Sequence, residues 1–425
     1  MLRLFCWTRS RQEKTMTPNR RRTLVICGHG MVAQRLLEEL VAQPAQPYQR
    51  IVVFNGEAAA AYNRIQLSAL LAGETAEDTL SLKTPDWFRR HHIEVHQSEP
   101  VVAIDRQQRS VITATGRVQC YDTLVLATGS RAASPGLPGE DLDGVMSFRH
   151  LQDTRNLIAA SATRRRAVVI GGGFLGLEAA EGLRCRGMDV TVLQRSSHLL
   201  NQQLDPAGGQ LLAAALARRG LHIMTGARPV RILGKQQVRA VQLADDTLIS
   251  TDLVVLATGI TANLELAAAA GLRCDRAICV DPQLRTSDPD IHALGECCQL
   301  GGATFGLVEP GYQQARVLAR LLSASAPRDR YQPSPVATRL KISGIAIFSC
   351  GQPTPDDTTE SLLWQDRETG GYCHLLVRDH RLRGAVLIGN TRDGPWYQQR
   401  IAQGDDISRY RAQLPFGEHY CLAAA

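Results

Sequence analysis

No apolar run in this chain approaches the roughly 18 residues that a bilayer-spanning helix needs. Runs such as Leu253 to Ala257 are soon broken by glycine or polar residues, so a soluble, cytoplasmic protein is expected. The sequence also has no CxxC pair. Its eleven cysteines are odd in number and scattered, which argues against a secreted disulfide framework and a zinc site and for reduced, mostly buried thiols. Nor is there a basic footprint for nucleic acid. The net charge is +7, but residues 1 to 22 carry seven Lys and Arg against Glu13 alone, so almost none of the excess lies in the rest of the chain. Residues 1–21 are therefore set aside as a disordered basic leader or an upstream start ahead of Met16. With 44% hydrophobic and 21% charged residues, disorder and collagen are excluded, and 425 residues suggest two to four domains.

From Arg22 onward, short β-branched runs alternate with amphipathic stretches, the pattern of an α/β fold with helices covering a parallel sheet. The chain also repeats itself once. TLVICGHGMVAQRLLEEL (23–40) and AVVIGGGFLGLEAAEGL (167–183) each read as strand, glycine turn and helix, and each is answered later by a matching strand end, YDTLVLATGS (121–130) and STDLVVLATGI (250–260). Two Rossmann-like dinucleotide-binding domains, each three-layered, are implied. Breaks fall at 134–144, rich in Pro and Gly, and near 323–335. Beyond the second lies a smaller α+β domain with strand-like runs at Leu340–Phe348, His374–Arg378 and Ala385–Ile388 and a final helix from about Gly394.

Gly28, Gly30 and Ala33 form G-x-G-x-x-A at a strand end, with a helix beginning at Met31. Gly171, Gly173 and Gly176 repeat the arrangement. The first glycine of such a motif makes the tight turn. The second lets backbone approach a pyrophosphate, whose charge then sits at the helix N-terminus. One motif alone is weak evidence, and two in the same strand-turn-helix context are strong. An acid at the end of the following strand should hold a ribose hydroxyl. In the first unit Glu57 is the candidate, with Asn55 the weaker one. In the second unit Gln194 replaces the acid and Arg195 follows, which suits either a 2′-phosphate or a solvated surface position and leaves NADH against NADPH open.

The strand TSDPDIHALGEC (286–297) runs into Gly295-Glu296, and here the chain resembles the two-dinucleotide-domain flavoprotein reductases. The resemblance implies that Gly28, Gly30, Met31, Ala33 and Glu57 hold FAD, together with Thr128, Gly129, Gly295 and Glu296. It implies that Gly171, Gly173, Gly176, Arg195, Thr258 and Gly259 hold NAD(P)H, with Glu178 near the nicotinamide as the catalytic candidate against a plain helix-dipole role. The NAD(P)H-binding domain (148–262) is then inserted in a discontinuous FAD-binding domain (22–147 and 263–335), followed by the C-terminal domain (336–425). Many such enzymes carry a redox disulfide on the helix after the first ribose acid, but AAAAYNRIQLSALLAGE (58–74) has no cysteine, so dithiol exchange there is excluded. Adjacent Cys297 and Cys298 make a poor substitute because their ring is strained, and Cys27 reads as a small core residue.

AYNRIQLSALLAGE, TRLKISGIAIFSCG (338–351) and VLIGNTRDGPWYQQRIAQG (386–404) resemble the FAD- and NAD(P)H-binding portion of assimilatory nitrite reductase large subunits. They also resemble the electron-transfer subunits of assimilatory nitrate reductases and, more loosely, rubredoxin reductases. This resemblance implies that Arg64, Ser68, Glu309 and Gln313 lie at the flavin. It also marks departures: Gly56 stands where the ribose acid is expected, and Cys421 alone cannot hold the iron–sulfur cluster that follows in nitrite reductases, so nitrite reduction by this chain alone is not expected. The function expected is an FAD-dependent NAD(P)H oxidoreductase feeding a metalloprotein, such as a nitrate or nitrite reductase, with no metal of its own, no nucleic acid or membrane partner, and a homodimer left open. The alternatives are an NADH oxidase or quinone reductase, and a redox-gated FAD interaction module.

Overall fold

In the computed structural model, residues 22–45, 47–323, 328–342, 344–366, 368 and 370–423 are described, and the leader 1–21 lies outside them. The chain divides into two compact units, one of residues 1–63, 80–131 and 261–332 and the other of 64–79, 132–260 and 333–425.

The first unit is organised by an all-parallel five-stranded sheet in the order Ile291–Ala293, Thr123–Leu126, Thr23–Cys27, Arg50–Phe54, Ile93–His96. Its central strand is apolar on both faces, as a sheet covered on both sides requires. Leu24, Val25 and Ile26 are fully buried against Leu36, Leu37 and Leu40 of the helix Met31–Val41. That helix packs on the helix Val308–Leu322 so closely that a Cβ at Gly311 would come within 2.5 Å of Val32 Cγ2. A three-stranded antiparallel meander, Val101–Asp105, Ser110–Thr113 and Val118–Cys120, completes the unit.

The second unit contains the same arrangement again. Its parallel sheet runs Leu221–Thr225, Asp189–Gln194, Arg166–Ile170, Leu253–Leu256, Val145–Ser147, with its own antiparallel meander of Pro229–Gly234, Val238–Leu243 and Leu248–Ser250. This duplication follows from the repeated strand-turn-helix sequences, each of which fixes one central strand and its crossover helix.

The same unit holds a five-stranded antiparallel sheet in the order Thr338–Ile342, Ile345–Gly351, Arg381–Ile388, Tyr372–Arg378, Glu360–Gln365. One face buries Phe348, Cys373, Leu375 and Leu387 under Trp396 and Tyr397 of the helix Gly394–Gln403. The run expected as one strand over Leu340–Phe348 is instead a hairpin, because the chain reverses at Gly344, whose φ of +83° suits glycine. The helix from Gly394 stops at Gly404 in a left-handed C-cap, and a further helix, Glu418–Ala423, closes the described chain. Among the described residues no helix is long and apolar enough to cross a membrane.

Candidate functional site

Each parallel sheet presents one glycine turn at the C-terminal end of its central strand, and the two turns are built alike. Gly28 and Gly171 have φ of +101° and +121°, and a Cβ on either would run into a backbone carbonyl, that of Ala127 or Ala257. These glycines are therefore required by the protein itself. Gly30 and Gly173 differ. They are the N-caps of the helices Met31–Val41 and Phe174–Cys185, their φ values are ordinary, and a Cβ on either would meet nothing within 4 Å. A position that needs no glycine for the fold, but faces open space at a helix N-terminus, is where a pyrophosphate could come against backbone N–H groups. By this criterion both turns fit a dinucleotide.

Around the first turn the expected residues of the first unit come together in part. Gly295, φ +81°, sends its N–H to Gln314 Oε1 at 2.7 Å, and Glu296 accepts a hydrogen bond from Ser130 at 2.8 Å. Thr128 and Gly129 are stitched to Asn263: Thr128 Oγ1 donates to the Asn263 carbonyl, Asn263 Nδ2 returns to the Thr128 carbonyl at 2.9 Å, and Asn263 N–H reaches the Gly129 carbonyl. Glu57 accepts from the Tyr62 hydroxyl at 2.8 Å, while Asn55, one residue past its strand, spends its amide on the Ala59 carbonyl at 2.8 Å. Glu309, in the first turn of its helix, is exposed and 3.6 Å from Arg316, and Gln313 lies one turn further on.

The second unit gathers Gly171, Gly173, Gly176, Glu178, Arg195, Thr258 and Gly259 about its own sheet, and it also contains Arg64 and Ser68. Thr258 Oγ1 donates to the Ala133 carbonyl at 3.0 Å, and Ala133 N–H returns to Gly259, a stitch like that of Asn263. Arg64 Nη1 lies 2.7 Å from His150 Nδ1 and 3.2 Å from the Arg149 carbonyl. A guanidinium can only donate, so the His150 nitrogen facing it accepts. Ser68 Oγ reaches the Ile65 carbonyl at 3.4 Å. Glu178 sits mostly buried on the helix Phe174–Cys185, and burial raises its carboxyl from 4.5 to about 7. It is thus a group able to hold or release a proton near neutrality.

Cys27, Cys297 and Cys298 are buried as free thiols, and burial pushes Cys27 up to about 12. Cys297 donates to the Leu294 carbonyl and Cys298 to the Gly295 carbonyl, so neither is poised as a nucleophile. Asn263, Ser130, Gln314 and His150 were not legible as site residues. They act through hydrogen bonds to partners far off in sequence, and the local cue is that Asn263 follows a strand end.

Residues 22–319 match the family model described as pyridine nucleotide-disulphide oxidoreductase, and residues 335–405 match the rubredoxin NAD+ reductase C-terminal domain. The chain belongs to the pyridine nucleotide-disulphide oxidoreductase family. It is accordingly an oxidoreductase, and the cofactors of that family are FAD and NAD(P)H. It is 36% identical over 395 residues to the assimilatory nitrate reductase electron transfer subunit of Bacillus subtilis, covering 93% of this chain and 51% of that protein. It is 37% identical over 388 residues to the nitrite reductase [NAD(P)H] of the same organism, covering 91% and 48%. The chain therefore spans about half the length of these relatives. Among solved structures it is similar to a ferredoxin reductase from Rhodopseudomonas palustris, with a TM-score of 0.85 and 27% identity over 95% of this chain and 100% of that one. The helix Leu67–Ala72 carries no cysteine, so this member has no dithiol there despite the family's name.

Proposed function

We propose that the chain takes electrons from NAD(P)H through FAD and delivers them to a separate metalloprotein, the nitrate or nitrite reductase of nitrogen assimilation being the leading acceptor. The observation that carries this reading is the pair of turns whose second glycines, Gly30 and Gly173, face open space on two matching parallel sheets. With both nucleotides bound, the nicotinamide supplies a hydride to FAD, which can pass the electrons on singly. What the protein contributes is position. Well-oriented intramolecular reactions recover on the order of 7 to 11 kcal/mol of a barrier, which removes the need for a catalytic triad.

On this reading, two Rossmann-like domains divide the work. The FAD-binding domain, 22–147 with 263–335, uses Gly28, Gly30, Met31 and Ala33 for the pyrophosphate, Glu57 for the adenosine ribose, and Thr128, Gly129, Gly295 and Glu296 to close the site. The resemblance to nitrite reductases adds Arg64, Ser68, Glu309 and Gln313. The inserted NAD(P)H domain, 148–262, uses Gly171, Gly173 and Gly176, with Arg195, Thr258 and Gly259. Glu178 holds a proton beside the nicotinamide, and the C-terminal domain, 336–425, supports the pair. The similarity to electron-transfer subunits and to a ferredoxin reductase supports a protein acceptor.

The test is stopped-flow reduction of the yellow protein by NADH and NADPH, followed by mixing with iron–sulfur or molybdenum partners. Bleaching by a nucleotide and reoxidation by a partner protein is the expected result. Failure of both nucleotides to bleach the flavin overturns the reading, and fast turnover with oxygen alone favours an oxidase. Gly173→Val should abolish nucleotide reduction with FAD retained; loss of FAD would show that the two sites are exchanged.

A further inference from the structure

A cavity of about 220 Å³ lies at the end of the C-terminal sheet where Tyr372 pairs with Ile388. Five aromatic residues line it, Trp364, Tyr372, Tyr397, Phe416 and Tyr420, in a chain that is only 5% aromatic. None of them is among the residues assigned above to either nucleotide, so the site stands apart from the electron-transfer reading. Trp364, Phe416 and Tyr420 remain 38%, 53% and 58% exposed, and the Phe416 and Tyr420 rings stand 6.0 Å apart, tilted at 59°. Exposed large apolar side chains are unremarkable when scattered singly, but gathered around a concave site they mark a place where something binds.

The same cavity contains one fixed charge. Asp393, directly before the helix Gly394–Gln403, accepts the Glu418 N–H on Oδ1 at 3.2 Å, and Gly417, at φ +98°, brings main chain so near that a Cβ there would collide with the carboxylate. The carboxylate is therefore held in place. Its Oδ2 takes no hydrogen bond from any described residue, and no cation among them pairs with it. Basic residues close in sequence are engaged elsewhere: Arg392 with Asn390 Oδ1 at 3.2 Å, Arg400 with Asp405 at 2.9 Å and Arg411 with Glu360. No lysine follows Lys341. Burial, with the Asp393 charge added to it, pushes the Cys373 thiol up to about 12 and the Cys421 thiol up to about 11, so the negative charge is felt across the site.

A cation satisfies both features at once, because aromatic faces are negative and a carboxylate stands beside them. An anion is repelled by Asp393, and a neutral apolar group leaves the carboxylate partly desolvated without a partner. A primary ammonium carries three donors, and Asp393 is the one charged acceptor lining the cavity, whereas a quaternary ammonium has no donor to satisfy. Size sets a further limit, since about 220 Å³ falls below the roughly 300 to 1,000 Å³ of sites for drug-sized ligands. We propose that this cavity binds a small quaternary ammonium compound of the choline type, with Asp393 facing the charge and Trp364, Phe416 and Tyr420 enclosing the methyl groups.

The experiment uses the full chain loaded with FAD. Calorimetry compares choline with neohexyl alcohol, its uncharged analogue in which carbon replaces the nitrogen. Saturable choline binding with a Kd on the order of 1 mM is expected, roughly 10-fold tighter than that of the alcohol. Trp364→Leu keeps apolar bulk at an exposed edge position and removes the ring, and Asp393→Asn removes the charge; each should weaken choline binding by roughly 10-fold. Asp393→Asn should leave binding of the alcohol within about twofold, which separates a lost charge from a disturbed fold. Equal affinity for choline and the alcohol, no saturation below about 20 mM choline, or choline binding that both variants leave unmoved overturns the inference.

Discussion

Glu178→Gln separates a proton-holding carboxylic acid from an inert helical side chain. In the folded protein burial lifts the Glu178 carboxyl from 4.5 to about 7, so between those values the native state binds a proton that the unfolded chain has released. Stability attributable to this group is therefore intact below about pH 4.5 and is lost as pH rises through 7. At 1.36 kcal/mol per pH unit the full shift corresponds to on the order of 3 kcal/mol, an upper bound because the side chain retains some contact with solvent. Urea unfolding of the wild type and of Glu178→Gln between pH 4.5 and 8 measures the difference. The glutamine variant, neutral throughout, should gain relative stability above pH 7 and match the wild type near pH 4.5. The rate of flavin reduction by NADPH should in turn lose an inflection near pH 7 in the variant. Parallel stability curves together with an unchanged rate profile would refute both the buried acid and its place beside the nicotinamide.

The two glycines of the first turn should fail in different ways. Gly28→Ala drives a methyl into the Ala127 carbonyl at φ +101° and should lower the melting temperature of the flavin-free protein, whereas Gly30→Ala should leave that temperature unchanged and weaken FAD retention during gel filtration. Tyr372→Phe removes a 2.6 Å hydrogen bond to buried Asp205 and should cost about 1 to 3 kcal/mol in denaturant unfolding; a change below 0.5 kcal/mol would show that the bond contributes little. Cys297→Ser combined with Cys298→Ala should keep nucleotide-driven flavin reduction within about threefold in stopped-flow, since neither thiol lies on the electron path; a loss of a hundredfold or more with flavin still bound would implicate them.

Much of the architecture was legible because glycine spacing and apolar runs are local signals. GHGMVA and GGGFLG each announce a turn between a buried strand and a helix, and the doubled pattern anticipates the matched sheets. Periodicity failed where burial is one-sided or a turn is short. The edge strand Glu360–Gln365 exposes Ser361, Leu363 and Trp364 and shows no regular alternation, and the hairpin at 338–351 reads as one run until Gly344 reverses it. The inward turn of Gln194 was equally out of reach, since its partner, the Gly172 N–H, is 22 positions away. Sequence could mark the missing acid, but only geometry shows where the amide that replaced it is spent.

Asp205 caps the helix Pro206–Ala217 yet is bonded by Tyr372 and lies 3.3 Å from His374, both on a strand of the C-terminal sheet. Burial works to raise this carboxyl, and the close approach of the His374 ring together with the hydrogen bond from Tyr372 outweighs that effect and leaves it below its ordinary value. Severing the polypeptide near residue 335 would strip a desolvated anion of both neighbours. The last ninety residues are thus a buttress rather than a detachable module, and a chimera exchanging them between homologues would have to carry the 205–217 segment along.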